Sequence, residues 1–262
     1  MMDIRKINIG FMGTGGIATA LAKGFCSSDG FDGVIWVFDR NEYKMDALKK
    51  LYPGKIAVAQ SNQEVIDNAK VIFPTLLPAV LREVAPTLRF SSETHVIHLA
   101  AGIKIEEAEP WFVPSASIVR AVPLPFASRR MGPLVYFGND PLSEELLSLL
   151  GVVVKVERER DLEILAAITG MMVPYYALVG ETVKWAVSKG IDFESAMKYT
   201  TGMNEALSNF MRSDCTEDME SFLVENTTPK GMNELGLNVA RKAGVYEHWA
   251  DALEQIGKHY DL

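Results

Sequence analysis

Six residues near the start of the chain, Gly13-Thr14-Gly15-Gly16-Ile17-Ala18, have the types and spacing to hold a dinucleotide. A pyrophosphate binds to free backbone N–H groups at a helix N-terminus, where the helix dipole favours an anion. Gly13 suits a tight strand-to-helix turn. Gly15 lets the backbone approach phosphate with no side chain between, and Ala18 is small enough for the helix to lie close on a sheet. A lone G-x-G-x-x-A is common. Here it follows the first apolar run and opens the first helical pattern, the context that dinucleotide binding requires. The second apolar run ends at Asp39, and an acid there can accept from ribose hydroxyls, which favours NAD. Arg40 follows at once and suits a 2′-phosphate, which favours NADP. The two residues point to opposite cofactors, so the choice between NADP and NAD stays open.

Strands and helices must hold these residues in place, and the first half of the chain alternates between them. Apolar runs at 7–12, 34–38, 56–58, 71–73, 94–100, 118–122, 134–137 and 152–156 read as strands. Helical patterns fill 17–26, the stretch after the Asp39-Arg40-Asn41 turn, 79–84, 105–111 and 143–150. Ser61-Asn62-Gln63-Glu64 has capping-box spacing and starts another helix. Strands alternating with helices imply parallel pairing through right-handed crossovers. The charged run Glu157-Arg158-Glu159-Arg160-Asp161 ends this texture, and only helical patterns follow it. The expected architecture is therefore an α/β Rossmann-like domain with a mostly parallel sheet over residues 1–157. An all-α domain for substrate binding and dimerisation follows over 158–262.

The 34 acidic side chains outnumber the 26 basic ones, which argues against a nucleic-acid partner. Cys26 and Cys215 are far apart and read as two reduced thiols of a cytoplasmic protein. The N-terminus lacks the pattern of a signal peptide. The uncharged run 164–180 is slightly short for a membrane span and contains Pro174, so it reads as a buried helix in a soluble protein. His95, His248 and His259 form no metal spacing, and no metal is expected.

Several motifs, in order, give the chain its kinship. Ile9-Gly10-Phe11-Met12-Gly13-Thr14-Gly15, Asp39-Arg40-Asn41, Ala100-Ala101-Gly102-Ile103, Val119-Arg120-Ala121-Val122-Pro123 and Thr228-Pro229-Lys230-Gly231 span nearly its whole length. Together they resemble the pyrroline-5-carboxylate reductases. The resemblance implies a Rossmann-like domain followed by a helical domain that forms a homodimer or higher homo-oligomer. It also implies hydride transfer from NAD(P)H to a cyclic imine, the step that makes proline. Cofactor contacts are expected from Gly13, Thr14, Gly15, Gly16, Ile17, Asp39, Arg40, Leu76, Ala100, Ala101 and Gly102.

The chain departs from the family where the substrate would lie. The family's A-V-K-P-Q reads Thr75-Leu76-Leu77-Pro78-Ala79, and its M-P-N-T-P reads Val122-Pro123-Leu124-Pro125-Phe126. Its S-G-S-G-P-A-Y reads Thr169-Gly170-Met171-Met172-Val173-Pro174-Tyr175. Its S-P-G-G-T-T loop, which holds the substrate carboxylate, reads Thr228-Pro229-Lys230-Gly231-Met232-Asn233. Thr169, Tyr175, Thr228 and Asn233 are the candidate catalytic or substrate residues. Asn233 reads equally as a helix N-cap, and Tyr175 as a core residue with a tethered hydroxyl. Lys230 is the one cation in the altered loops, suited to a substrate carboxylate or to solvent. His98 reads as a partly buried, hydrogen-bonded strand residue. Most changes are towards larger apolar groups, which cannot replace donors to a carboxylate, so an altered imine or ketone substrate is expected. A non-catalytic, redox-sensing dinucleotide binder is the alternative. A 3-hydroxyacid-type dehydrogenase ranks last, because its only mid-helix lysine, Lys184, lies past the expected place.

Overall fold

The computed structural model describes residues 3–215, 218–260 and 262. The chain forms two compact units, Met1–Ala166 and Ala167–Leu262. In the first, eight strands make one sheet: β1 (Ile9–Met12), β2 (Ile35–Phe38), β3 (Ile56–Val58), β4 (Val71–Pro74), β5 (His95–His98), β6 (Ser117–Val122), β7 (Pro133–Phe137) and β8 (Val152–Val156). They lie in the order β3-β2-β1-β4-β5-β6-β7-β8. Every neighbouring pair is parallel except β6 with β7. A short 3-10 turn, Pro125–Arg129, joins those two strands in place of a crossover helix, so the chain reverses direction there.

The helices of this unit are α1 (Gly16–Cys26), α2 (Glu42–Leu51), α3 (Asn62–Asn68), α4 (Pro78–Val84), α5 (Ile105–Phe112), α6 (Pro141–Ser148) and α7 (Glu159–Ile168). They begin where the capping side chains stand. Asn41 accepts from the Lys44 amide at α2, and Ser61 from the Glu64 amide at α3, 3.1 Å away. Glu64 closes its side of the box on the Gln60 amide, one residue before the cap, at 2.6 Å.

Strands β1 and β4 are buried along their whole length, which is why they read as unbroken apolar runs. Successive side chains point to opposite faces. Phe11, Phe73 and Ile97 pack with Leu21 and Phe25 of α1, and Phe11 stacks on Phe73 at 4.9 Å. Met12, Ile72 and Val96 pack instead with Val65, Leu81 and Phe112.

The compact units divide within α7, later than the charged run at 157. Leu162, Glu163 and Ala166 of that helix are buried, and Glu159 and Glu163 both pair with Arg120 of β6. These contacts bind α7 to the sheet.

The second unit contains α8 (Met172–Ser188), α9 (Phe193–Asp214), α10 (Met219–Glu225), α11 (Met232–Lys242) and α12 (Val245–Gly257). The run 164–180 is not the buried helix expected from its composition. The continuous helical stretch Glu159–Ser188 is long and apolar enough to cross a membrane by length and composition, and little of it is buried in one chain. Val173, Leu178 and Trp185 are exposed on α8, as are Leu207 on α9 and Leu235 on α11. A unit of so few helices has too little of its own surface to cover these faces.

Candidate functional site

Parallel strands with crossovers on both faces open a crevice beyond their carboxyl ends, where the direction of winding reverses. Here that point lies between β1 and β4. Gly13 leaves β1 with φ +103°, and its amide donates to the Phe38 carbonyl of β2 at 2.7 Å. A Cβ at this position would sit 3.0 Å from the Thr75 carbonyl oxygen, so both conformation and space call for glycine. Thr75, at the end of β4, ties down the other side. Its hydroxyl lies 3.0 Å from the Met12 carbonyl and 2.9 Å from that of Gly13.

Gly15 is the N-cap of α1 and supplies no capping side chain, which leaves first-turn amides free for an anion. No atom lies within 4 Å of where a Cβ would stand on Gly15 or Gly16. Ala18 is buried in the core, so α1 sits close against the sheet. A bare helix start, an open approach and a braced turn fit the pyrophosphate of a dinucleotide.

A cavity of about 360 Å³ adjoins this turn, with Ile17, Thr75, Leu76, Leu77, Leu99, Ala100, Ala101, Val122 and Pro123 in its wall. Thus the glycine turn and Ala100-Ala101 meet at one cavity, as the cofactor assignment requires. Leu77 occupies the N-cap position of α4 and is strongly exposed. No described residue in the wall is ionisable, and the one hydroxyl, on Thr75, is already hydrogen-bonded. A wider cavity, about 840 Å³, lies at the amino ends of β1, β4 and β5, away from the glycine turn. Its mixed charges (Lys6, Lys70 and Arg89 with Asp67 and Glu93) favour no ligand class.

His98 holds the loop 100–103 from beneath. It is fully buried, not partly so, because β5 is an interior strand covered on both faces. Its Nε2 lies 3.1 Å from the Ile103 carbonyl, and the Ala100 amide approaches Nδ1 at 3.4 Å. A neutral ring with its proton on Nε2 satisfies both partners. Burial drives the imidazole pKa down to about 4, against a smaller opposing effect of the Ile103 carbonyl. His98 is therefore a neutral brace.

Below it, the buried Arg120 guanidinium donates to Glu159 at 2.9 Å and Glu163 at 3.1 Å, and Glu159 also accepts from the Ile105 amide. Sequence reasoning noted Arg120 only as part of a motif. Its carboxylate partners lie far along the chain and carry no local signal.

Asp39 is turned towards the glycine turn. One carboxylate oxygen accepts from the Thr14 amide at 2.7 Å and the Thr14 hydroxyl at 2.9 Å. The other accepts from the Asn41 amide at 2.9 Å. Partial burial alone would raise its pKa, but these donors outweigh it and hold the carboxyl below the usual range. Arg40 beside it is exposed.

The four residues proposed for the substrate side all belong to the second unit. Thr169 is half-buried in a 3-10 turn, Thr169–Met171, that leads into α8. Tyr175 is exposed, not core, because its face of α8 is uncovered in one chain. Thr228 opens a turn in which its carbonyl accepts from the Gly231 amide at 2.9 Å. Asn233 is not the N-cap of α11. Gly231 takes that place, since Lys230 adopts φ +61° and gives its amide to Glu234, shifting the helix start earlier. Among the described residues no group of three His, Cys, Asp or Glu could hold a metal.

Comparison with known proteins covers both units. Residues 8–102 match the family model described as NADP oxidoreductase coenzyme F420-dependent, and residues 159–261 match pyrroline-5-carboxylate reductase dimerisation. The chain is 26% identical to a pyrroline-5-carboxylate reductase of Corynebacterium melassecola, covering 96% of this chain and 99% of that one. The solved pyrroline-5-carboxylate reductase of Coxiella burnetii superposes with a TM-score of 0.78 at 25% identity, covering 97% of each chain. That of Streptococcus pyogenes gives a TM-score of 0.83 at 19% identity, covering 98% of this chain and all of the other.

Proposed function

Because the chain belongs to the pyrroline-5-carboxylate reductase family, we propose that it reduces the C=N bond of a small cyclic imine with NAD(P)H, pyrroline-5-carboxylate being the first candidate. Proline would then be its product and proline biosynthesis its place. The bound dinucleotide supplies the hydride. The observation that carries the reading is the cavity joining the glycine turn to Ala100-Ala101, since it offers space for a small molecule beside the site that fits the cofactor.

This chain's own residues orient and exclude water. The amides at the start of α1 take the pyrophosphate, and Thr75 and His98 hold the two flanking loops. The apolar wall keeps water from the acceptor carbon. That wall offers no proton to the imine nitrogen and no counter-charge to a carboxylate, so both roles fall to the helical unit. Thr169, Tyr175, Thr228 and Asn233 are the hydroxyl and amide candidates, and Lys230 is the cation for a carboxylate. The exposed faces of α8, α9 and α11, in the region matching a dimerisation family, favour a homodimer or larger homo-oligomer.

The test mixes the protein with pyrroline-5-carboxylate and each reduced cofactor and follows nicotinamide absorbance. Turnover with either cofactor supports the narrow reading. No turnover with either overturns it. An imine or ketone with a more apolar body is the second reading, favoured by Leu77 at the cavity and by the uncharged wall. Activity on such compounds, without activity on pyrroline-5-carboxylate, would select it.

A further inference from the structure

The residue that ends β2 in a dinucleotide-binding sheet decides how the adenosine ribose is read. A carboxylate selects the unphosphorylated ribose by accepting from both hydroxyls, one on each oxygen. An ionised carboxylate has about four acceptor positions, two on each oxygen. In Asp39 both positions of one oxygen are used by the amide and hydroxyl of Thr14, and one position of the other by the Asn41 amide. The single position left cannot accept from two hydroxyls. Asp39 is also the N-terminal anchor of the Asn41 turn and the tether of Thr14, so swinging it out would cost three hydrogen bonds.

The groups around Asp39 have the opposite sign. Arg40 is exposed and makes no hydrogen bond or ion pair with the described residues. Lys44, in the first turn of α2, acts electrostatically on Asp39 and is itself exposed. Thr14, which Asp39 holds, lines a cleft of about 410 Å³ whose wall includes Lys23, Tyr43 and Lys44. Glu42 neighbours them and is exposed to solvent. A phosphate monoester carries close to two negative charges at neutral pH and binds well to a guanidinium fork.

We propose that Arg40, with Lys44, makes this site selective for the 2′-phosphorylated dinucleotide NADP(H), and that Asp39 braces the glycine turn instead of reading the ribose. The inference rests on the reductase reading, because it assigns one end of that reading's cofactor. It makes Arg40 the specificity residue and Thr14 the residue that withdraws Asp39 from the ribose.

Calorimetry on the full chain tests it with four ligands: NADPH, NADH, adenosine 2′,5′-bisphosphate and 5′-AMP. NADPH should bind at least about tenfold tighter than NADH, and the bisphosphate should show the same preference over AMP, as a charge-assisted pair predicts. Arg40→Gln, a change at an exposed position, should remove most of that preference by weakening the two 2′-phosphorylated ligands. Thr14→Val frees an acceptor position on Asp39 and should shift the NADPH-to-NADH ratio towards NADH. NADH binding as tightly as NADPH, an Arg40→Gln loss shared equally by all four ligands, or an unchanged ratio in Thr14→Val would each overturn the inference. A protein that binds none of the four overturns the reductase reading itself.

Discussion

His98 shows how one side chain can serve a cofactor loop without reacting. Its folded pKa of about 4 lies below the ordinary 6.5, so between those values the unfolded chain binds a proton that the folded chain does not. Stability therefore rises with pH across this window. The contribution is complete above about pH 6.5, is lost as pH falls towards 4, and amounts to about 3 kcal/mol. Urea denaturation from pH 7 to 4 should show this slope, and His98→Gln should flatten it by about one proton. At Gly13 the expectation concerns both backbone and ligand. Gly13→Ala forces a side chain into φ +103° against the Thr75 carbonyl. It should cost about 1–3 kcal/mol and weaken dinucleotide binding, read by denaturation and calorimetry.

At the scale of elements, two contacts fix how the helices meet the sheet. Arg120 links β6 to α7 through two carboxylates in a nearly dry site. Arg120→Met leaves both acids buried without their partner and should cost about 3–5 kcal/mol in urea denaturation. Gly24 allows α1 to touch the turn after β6. A Cβ there would lie 2.3 Å from the Ala127 carbonyl oxygen, and backbone cannot step aside as a side-chain tip can. Gly24→Ala should lower stability by about 1–3 kcal/mol. Most of these elements were legible from residue spacing. The alternation of strand and helix, the Ser61 cap and the strands at 56–58 and 152–156 all stand in the structure. The antiparallel β7 was not legible, because direction depends on the length of a connection that carries only a 3-10 turn.

At the scale of the whole molecule, the helical unit leaves large apolar side chains in water. Val173, Leu178, Leu207 and Leu235 are each about half exposed or more. Such surface favours association with a second copy. Gel filtration should give a mass at least twice that of one chain, and Leu178→Asp should lower it. A wild-type mass equal to one chain would overturn the oligomer. The dinucleotide half of the candidate site was readable in the sequence, because Gly13 to Ala18 are consecutive. The substrate half was not. Tyr175 and Asn233 were assigned to a core and a cap that a single copy's packing and the Lys230 turn do not provide.

The sequence by itself determined the order of elements, the glycine turn and the kinship of the chain, because these depend on neighbours along the backbone. Tertiary structure alone decided what Asp39 and Arg120 do. Asp39 finds Thr14 across 25 residues, and Arg120 finds Glu163 across 43. The direction of a carboxylate or a guanidinium depends on which donors and acceptors folding brings beside it. Spacing along the chain carries no record of that.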